Sequence, residues 1–344
     1  MSIQHPQHTM NQAACLTMLP NELILLISDH LTRKQDLNSF LRCNRRFYSL
    51  LNKRLYQLAA RSRNNDAVMW ALKTANVELA RRAIDAGSDP EKEFKSGGWR
   101  NDRPLHVAVR HASETKKRSL LPEGEMQDFL QKNDNLIRYL VSLNTDVNRL
   151  DNFTQSPLWE AVIRGEINSV RLFLDNGGDV TMQNCHGGGL AHAAIGPAQS
   201  NGPNAIIYLD ILKLLFERGL NPNEGGRHKF APLHSQVKAV NHRIHRDRRK
   251  NTRTLSEERV EDVLKLLLKY GADIDAQTGV GETPLELALS YLPQELICFK
   301  LLLQYGADTS LFSLPPVGEE RDAAIKVCRE VSQETGRIFE FLAT

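Results

Sequence analysis

The chain has 344 residues, of which 41% are hydrophobic and 25% are charged, and its formal net charge is +3. These values are ordinary for a soluble globular protein, and the net charge is too small to attract nucleic acid or a membrane through the overall field. No apolar run approaches the roughly 20 residues that span a bilayer, and the N-terminus lacks a signal-peptide pattern. We expect a cytoplasmic or nuclear protein, with neither membrane nor nucleic acid as its partner.

The N-terminal quarter predicts a short polar tail and then a small bundle of helices. Residues 1–15 are polar and aperiodic, which predicts disorder. A helix is predicted from Pro20 to His30, and its apolar stripe is formed by Leu23, Leu26, Ile27 and Leu31. Asp36 is expected to cap a second helix that begins at Leu37. A third apolar set follows at Phe47, Leu50, Leu51, Leu55 and Leu58.

Three short motifs in this bundle occur together. They are LPNEL at residues 19–23, DL at 36–37 and NRRFYSLL at 44–51. With these motifs, residues 16–60 resemble the F-box, although Phe47 and Tyr48 stand where that family often carries a tryptophan. The resemblance implies docking on a Skp-type adaptor and, through it, on a cullin. The adaptor-binding residues it implies are Leu19, Pro20, Leu23, Ile27, Leu31, Leu37 and Leu41. The alternative is a bundle that only caps the domain that follows.

A phrase repeated along the chain dominates the remaining sequence. In VEDVLKLLLKYGADID, residues 260–275, the apolar residues recur at the spacing of one helix face, and Gly271 is expected to end the helix. The apolar residues are Val260, Val263, Leu264, Leu267 and Leu268. Five further copies end at Asp89, Asp146, Asp179, Asn221 and Asp308. A helix of this length cannot bury its own face, so the copies are expected to stack.

A second phrase precedes most copies and predicts another helix. Examples are TPLELAL from Thr283, SPLWEAV from Ser156 and RPLHVAV from Arg103, in which proline suits the first helical turn. The alternation resembles the ankyrin repeat, with about six repeats over residues 65–311. The resemblance implies a solenoid that binds proteins, and it implies that His106 and His234 support the turns.

Three repeats are longer than the others, with insertions near residues 115–133, 197–205 and 240–258. All three fall between the two helices of their repeat and are expected to project from one edge of the solenoid. The last insertion contains NHRIHRDRRKNTR, residues 241–253, which carries six basic residues and one aspartate. A nuclear-import signal, a site for an acidic partner and a solvated loop are all compatible with this run.

The C-terminal stretch predicts one more helix. Residues 318–344 predict a closing helix, with apolar positions at Ala324, Val327, Cys328 and Val331.

Large aromatic and basic side chains occur in the turns between repeats, where packing does not require them. The predicted substrate-binding residues are Trp99, Arg100, Phe153, His186, Arg227, His228 and Phe230.

The constellations that would indicate catalysis or metal binding are weak. Gly187, Gly188 and Gly189 are not followed by the lysine of a phosphate-binding loop, and Cys185, His186 and His192 lack an evident fourth ligand. The five cysteines are scattered, so neither a disulfide framework nor a zinc site is expected. Cys298 is predicted to be a core residue. We expect no enzyme activity, no cofactor and no metal.

Together these patterns predict an all-α protein: a helical F-box bundle, an ankyrin-repeat solenoid and a C-terminal capping helix. The predicted function is substrate recognition in an SCF-type ubiquitin ligase, in which the bundle docks on the adaptor and the solenoid binds a protein substrate. The alternative is an ankyrin-repeat scaffold without a ligase role.

Overall fold

A computed structural model describes residues 16–62, 65–95, 101–118, 121–184, 187–200, 202–252, 255–311, 314 and 316–339. It divides into two compact units, Met1–Asp146 and Val147–Thr344. The regular secondary structure of the described residues is helical, apart from one pair of two-residue antiparallel strands and isolated bridges. The prediction of an all-α fold is confirmed.

The first unit begins with three helices that surround a common core. They are α1 (Asn21–His30), α2 (Lys34–Arg42) and α3 (Arg45–Ala60). The core consists of Ile24, Leu37, Leu41, Phe47 and Leu51. The α3 helix starts after Asn44, whose side-chain oxygen accepts a hydrogen bond from the Arg46 amide at 2.8 Å. The predicted start of the second helix at Leu37 is wrong, because α2 begins three residues earlier and Asp36 lies in its first turn.

Four more helices complete the first unit. They are α4 (Asp66–Lys73), α5 (Val77–Asp85), α6 (Pro104–Arg118) and α7 (Glu123–Ser142). Strand β1 (Phe94–Lys95) pairs with strand β2 (Asn101–Asp102) between α5 and α6. The helices pack in pairs, α4 with α5 and α6 with α7, and α3 packs on both α4 and α5.

The second unit contains four further helix pairs and one final helix. The pairs are α8 (Pro157–Arg164) with α9 (Ile167–Asp175), α10 (Leu190–Ala198) with α11 (Ala205–Glu217), α12 (Pro232–Lys250) with α13 (Glu257–Lys269), and α14 (Pro284–Leu289) with α15 (Ile297–Gln304). Short 3₁₀ turns lie at Arg227–Lys229 and Thr309–Leu311. The final helix, α16 (Glu319–Thr335), packs on α15.

The predicted helix stop at Gly271 is confirmed. Gly271 has a φ of 88°, a left-handed conformation that costs glycine little. Its amide donates to the Leu268 carbonyl, and the Ala272 amide donates to the Leu267 carbonyl, both at 3.0 Å. This pair of hydrogen bonds is a Schellman motif, which satisfies the last carbonyls of α13. The same motif ends other second helices at Gly87, Gly177, Gly219 and Gly306.

Two of the insertions are continuations of helices. The first helix of an unmodified pair, α8, has 8 residues, whereas α6 has 15 and α12 has 19. The interpretation of residues 241–253 as a loop is therefore wrong for residues 241–250, which form the second half of α12. Val240 and Asn241 are buried, so the basic run begins inside a packed helix.

Side chains join successive turns of the second unit by a repeated arrangement, here called the inter-turn ladder. The Asn148 side chain donates to the Gly177 carbonyl and accepts from the Asp179 amide, both at 2.8 Å. Asn223 makes the equivalent bonds to Gly271 and Asp273, at 2.8 and 2.7 Å. Because each bond crosses from one repeat to the next, the ladder fixes the stacking of the turns.

The final helix closes the stack. Its apolar residues Ala324, Val327, Cys328 and Val331 are all buried, as the sequence predicted. Beyond its end, the Arg337 guanidinium donates to the carbonyls of Leu303 and Ala307, the latter at 3.1 Å. A cation at this position also interacts favourably with the C-terminal end of the α15 dipole. Residues 340–344 lie outside the described part of the chain.

Candidate protein-interaction surfaces

The N-terminal bundle carries more apolar side chains than its core accommodates. Ile24 on α1 is fully buried, whereas Leu23 and Leu26 on the same helix are 43% and 55% exposed. Before α1, Met18 is 83% exposed and Pro20 is also exposed. We call the exposed group the N-terminal apolar surface, formed by Leu16, Met18, Pro20, Leu23 and Leu26. Exposed apolar groups of this kind commonly mark protein-binding sites.

The predicted adaptor-binding residues divide into surface and core positions. Pro20 and Leu23 are exposed. Three more are half-buried, namely Leu19, Ile27 and Leu31. The last two, Leu37 and Leu41, are 0% and 1% exposed. The prediction that Leu37 and Leu41 contact an adaptor is wrong, because both side chains are packed in the bundle core with Ile24, Phe47 and Leu51.

Arg46 holds residues 17–21, which carry part of this surface. Its guanidinium donates to the Thr17 carbonyl at 3.0 Å and to the Leu19 carbonyl at 2.8 Å. It also donates twice to the Asn21 side-chain oxygen, at 2.6 and 3.1 Å. Hydrogen bonds from a charged donor are stronger than neutral ones. The arginine of the third motif therefore fixes the position of the first motif.

A second exposed group in the first unit lies beside α3 and α4. Trp70 and Tyr48 are 60% and 49% exposed and line a groove of about 540 Å³. Its other apolar walls include Leu55, Tyr56 and Leu79. Trp70 was not among the predicted binding residues, although the buried face of α4, at Ala67, Val68, Ala71 and Leu72, leaves Trp70 on the opposite side.

Several predicted substrate-binding residues lie outside the described part of the chain. These are Trp99, Arg100 and His186, together with the side chain of Arg227. Phe153 is 43% exposed in its turn. His228 is exposed and has a φ of 68°, and its carbonyl accepts a hydrogen bond from the Gly279 amide at 2.6 Å. Thus His228 also connects two turns.

Phe230 has a packing role that the sequence analysis did not assign. Its ring lies 5.2 Å from the His234 ring and 5.4 Å from the Lys238 ammonium. Its carbonyl accepts a hydrogen bond from the His192 ring at 2.7 Å. The premise that this turn residue is free of packing duties is therefore wrong.

The histidines of the first helices support neighbouring turns. The His234 ring lies 3.0 Å from the Glu282 carbonyl, and His192 makes the equivalent bond to Phe230. Burial lowers the pKa of both rings, which favours the neutral form. His106 is also fully buried. The structural role predicted for His234 is confirmed, and His192 shares it because both occupy the third position of their helices.

Gly187, Gly188 and His192, from the weak metal and phosphate patterns, lie at the start of α10 and in the turn before it. The described residues contain no group of three or more His, Cys, Asp or Glu side chains placed to hold a metal ion. Cys185 and His186 lie outside the described residues. Gly187 and Gly188 instead form a turn closed by Asn184, whose side chain accepts from the Gly188 amide at 2.9 Å. Cys298 is buried in the core, as predicted.

No helix in the described ranges is both long enough and apolar enough to cross a bilayer.

No family model matches the chain. Among curated proteins, "Ankyrin repeat and SOCS box protein 16" of Mus musculus is 27% identical over 157 residues, which are 44% of this chain and 30% of the mouse protein. "Putative palmitoyltransferase ZDHHC13" of Danio rerio is 27% identical over 166 residues, or 44% of this chain and 24% of that protein. The chain thus spans less than a third of either relative.

Solved structures identify the fold. An ankyrin repeat domain from Acinetobacter baumannii AYE is similar to this chain with a TM-score of 0.51 and 20% sequence identity. The similarity covers 70% of this chain and 98% of the bacterial one. Solenoids of stacked repeats present extended surfaces that bind other proteins. The chain therefore contains an ankyrin-repeat solenoid.

Proposed function

We propose that the chain is a substrate-recognition subunit of an SCF-type ubiquitin ligase. In this proposal helices α1 to α3 are an F-box that docks on a Skp-type adaptor, which links the chain to a cullin. The ankyrin-repeat solenoid binds the protein substrate. The observation that carries the proposal is the N-terminal apolar surface, which lies on the LPNEL segment beside an already filled core.

The energetics of this surface favour a protein partner. Each large apolar side chain that becomes fully buried contributes roughly 1.5–3 kcal/mol. Leu23 and Leu26 remain about half exposed although the bundle core is complete without them. Arg46 holds the preceding residues in place, so docking orders less of the chain than a free segment would require.

The comparisons support the protein-binding half of the proposal. The bacterial ankyrin repeat domain shares the fold of the solenoid. The name of the mouse relative pairs ankyrin repeats with a second module, a SOCS box. The proposal for this chain has the same form, with an F-box as its second module.

One observation favours a scaffold without a ligase role. Helix α3 packs on α4 and α5, so the bundle also covers the first helix pair of the solenoid. A solenoid needs such a cover at its ends. Capping accounts for α3, but it gives no role to the exposed side chains of α1.

Co-purification with a Skp-type adaptor tests the proposal. The full chain should capture the adaptor, and Leu23→Ser with Leu26→Ser should reduce capture about a thousandfold, since two central anchors commonly contribute 2 kcal/mol or more each. Leu19→Ala with Pro20→Ala should have a similar effect. The matched control is Ile206→Ser with Val280→Ser, which changes two exposed apolar residues of the second unit.

The helical content of each variant, measured by circular dichroism, should match that of the wild type, because the changed side chains of α1 are exposed. If the wild-type chain fails to capture the adaptor while another F-box protein succeeds, the ligase proposal is wrong and the scaffold remains. Equal loss of capture in the control variant would also contradict the proposed surface.

A further inference from the structure

The second half of α12 presents a continuous basic face. Lys238, His242, Arg246 and Arg249 follow one another at intervals of four, four and three residues, so they lie on one side of the helix, and His245 lies beside them. All five side chains are exposed, and we call them the basic face. No carboxylate among the described residues pairs with Arg246 or Arg249. The one acidic residue of α12, Asp247, is buried and accepts a hydrogen bond from Thr252 at 3.3 Å.

The end of a helix does not account for this face. Helix α6 finishes with Lys116, Lys117 and Arg118, and α12 finishes with Arg248, Arg249 and Lys250. Basic residues in a last turn stabilise the helix dipole, an effect that fades within one turn. Lys238, His242 and Arg246 lie further from the end of α12 than that. The helix dipole therefore does not explain these three basic residues, and their charge is available to a binding partner.

The surroundings favour a short anionic partner over a long one. Residues 147–344 carry 22 basic and 25 acidic side chains, so the basic face is a local exception in a unit that is acidic as a whole. The face extends for about 16 Å, at 1.5 Å per residue. A polyanion longer than this would extend past the face onto a unit whose net charge is negative. The nearby Phe230 ring is already engaged by His234 and Lys238, so it does not offer the stacking platform that single strands use.

The spacing of the face matches an extended peptide. Residues four apart on a helix are separated by about 6 Å along its axis. Alternate residues of an extended chain are separated by about 6.6 Å and point to the same side. Acidic residues at alternate positions of a peptide would therefore meet Lys238, His242 and Arg246 in register, with Arg249 one step further.

We propose that the basic face binds a short, extended acidic segment of a partner protein, with carboxylates at alternate positions. The inference rests on the protein-binding part of the proposed function and is independent of adaptor docking. Recognition at this face is electrostatic, so binding weakens as the salt concentration rises. An acidic protein segment is thereby the proposed partner of the basic run, residues 241–253, whose role the sequence alone left open.

The test uses the full chain and a fluorescent peptide in which glutamate alternates with serine over ten residues. Fluorescence anisotropy at low salt should show binding, and Lys238→Gln with Arg246→Gln and Arg249→Gln should weaken it about tenfold, as three exposed charge contacts allow. Glutamine suits a helix, so the fold should persist. The matched control, Lys116→Gln with Lys117→Gln and Arg118→Gln, removes the same charge from exposed positions of α6 and should change the affinity less than about twofold.

Two comparisons make the result decisive. A peptide with glutamine in place of glutamate should not bind, and a ten-residue oligothymidylate should bind less tightly than the acidic peptide. Equal weakening by both triple variants would overturn the proposal, as would equal binding of the glutamine peptide. Tighter binding of the oligothymidylate that is lost in the α12 variant would identify the face as a nucleic-acid site instead. Because no adaptor is present, these outcomes are separate from a failure of the ligase proposal.

Discussion

Arg46 and Asn21 connect the start of the third helix to the start of the first. The Arg46 guanidinium donates to the Asn21 side-chain oxygen through both Nη2 and Nε, at 2.6 and 3.1 Å. The same guanidinium also binds the carbonyls of Thr17 and Leu19. Two sequence motifs that lie 25 residues apart are thereby held as one surface.

Replacing this arginine should loosen the N-terminal apolar surface. Arg46→Ala removes four hydrogen bonds at an exposed site, and we expect the bundle to lose about 1 kcal/mol of stability. Hydrogen exchange should speed up at the amides of Leu23 and Ile24, which bind the Pro20 carbonyl. Arg45→Ala is the control, because that neighbouring side chain makes none of these four hydrogen bonds. Similar exchange in the two variants would contradict the role given to Arg46.

The inter-turn ladder predicts a difference between two similar substitutions. Asn223→Ala removes a donor and an acceptor that join adjacent turns, at 2.8 and 2.7 Å, and should cost about 1–2 kcal/mol. Thr181 occupies the equivalent position of the preceding turn, but its hydroxyl binds Asp179 within the same turn. Thr181→Ala should therefore cost less than about 0.5 kcal/mol. Urea denaturation of both variants checks the prediction, and equal midpoints would show that the ladder does not stabilise the stack.

The repeat architecture was predictable because local rules and stacking agree. The helix that ends at Gly271 has an apolar face at the expected spacing, and Val260, Val263, Leu264 and Leu267 are buried as predicted. Glycine stops follow from backbone sterics alone, so they too are visible in the sequence. The inter-turn ladder could not be predicted from the sequence, because an asparagine in a turn does not reveal that its partner belongs to the next repeat.

The N-terminal surface was predicted less well, for a physical reason. Helix α1 is apolar on several sides, so periodicity alone does not tell Ile24, which is buried, from Leu23 and Leu26, which are exposed. Which side faces the core depends on the packing of α2 and α3. In the same way, the composition of residues 241–250 is compatible with a solvated loop, whereas the buried residues of the preceding turns extend α12 through this run.

Gly271 gives a test of backbone conformation without side-chain crowding. A β-carbon at this position would meet no atom within 4 Å, so the cost of substitution comes from the φ of 88°. Gly271→Val should destabilise the solenoid by more than about 1 kcal/mol and broaden its unfolding transition. Gly271→Asn should cost less, because asparagine tolerates this conformation. An unchanged denaturation midpoint for the valine variant would contradict the Schellman motif as a source of stability.

Glu295 is a buried carboxyl group that links stability to pH. The side chain is fully buried just before α15, where its Oε1 atom accepts a hydrogen bond from the Cys298 amide at 2.9 Å. Its Oε2 atom has no hydrogen-bond partner among the described residues. Burial raises the pKa of this carboxyl to about 7, since the charged form is poorly solvated. The folded chain therefore holds a proton on Glu295 at a pH where the unfolded chain does not.

The sign of the effect follows from this raised pKa. Below the unfolded pKa, about 4.3, both states are protonated and Glu295 costs no ionisation energy. As the pH rises from there to about 7, the unfolded state loses its proton first, so stability falls, by on the order of 3 kcal/mol in total. Glu295→Gln keeps the acceptor for Cys298 and removes the ionisation, so the second unit should be more stable than the wild type above pH 7. Urea denaturation at pH 5 and pH 8 measures the difference, with Glu258→Gln, an exposed glutamate of α13, as the control. If the wild type and Glu295→Gln lose the same stability between these pH values, Glu295 is not the group responsible.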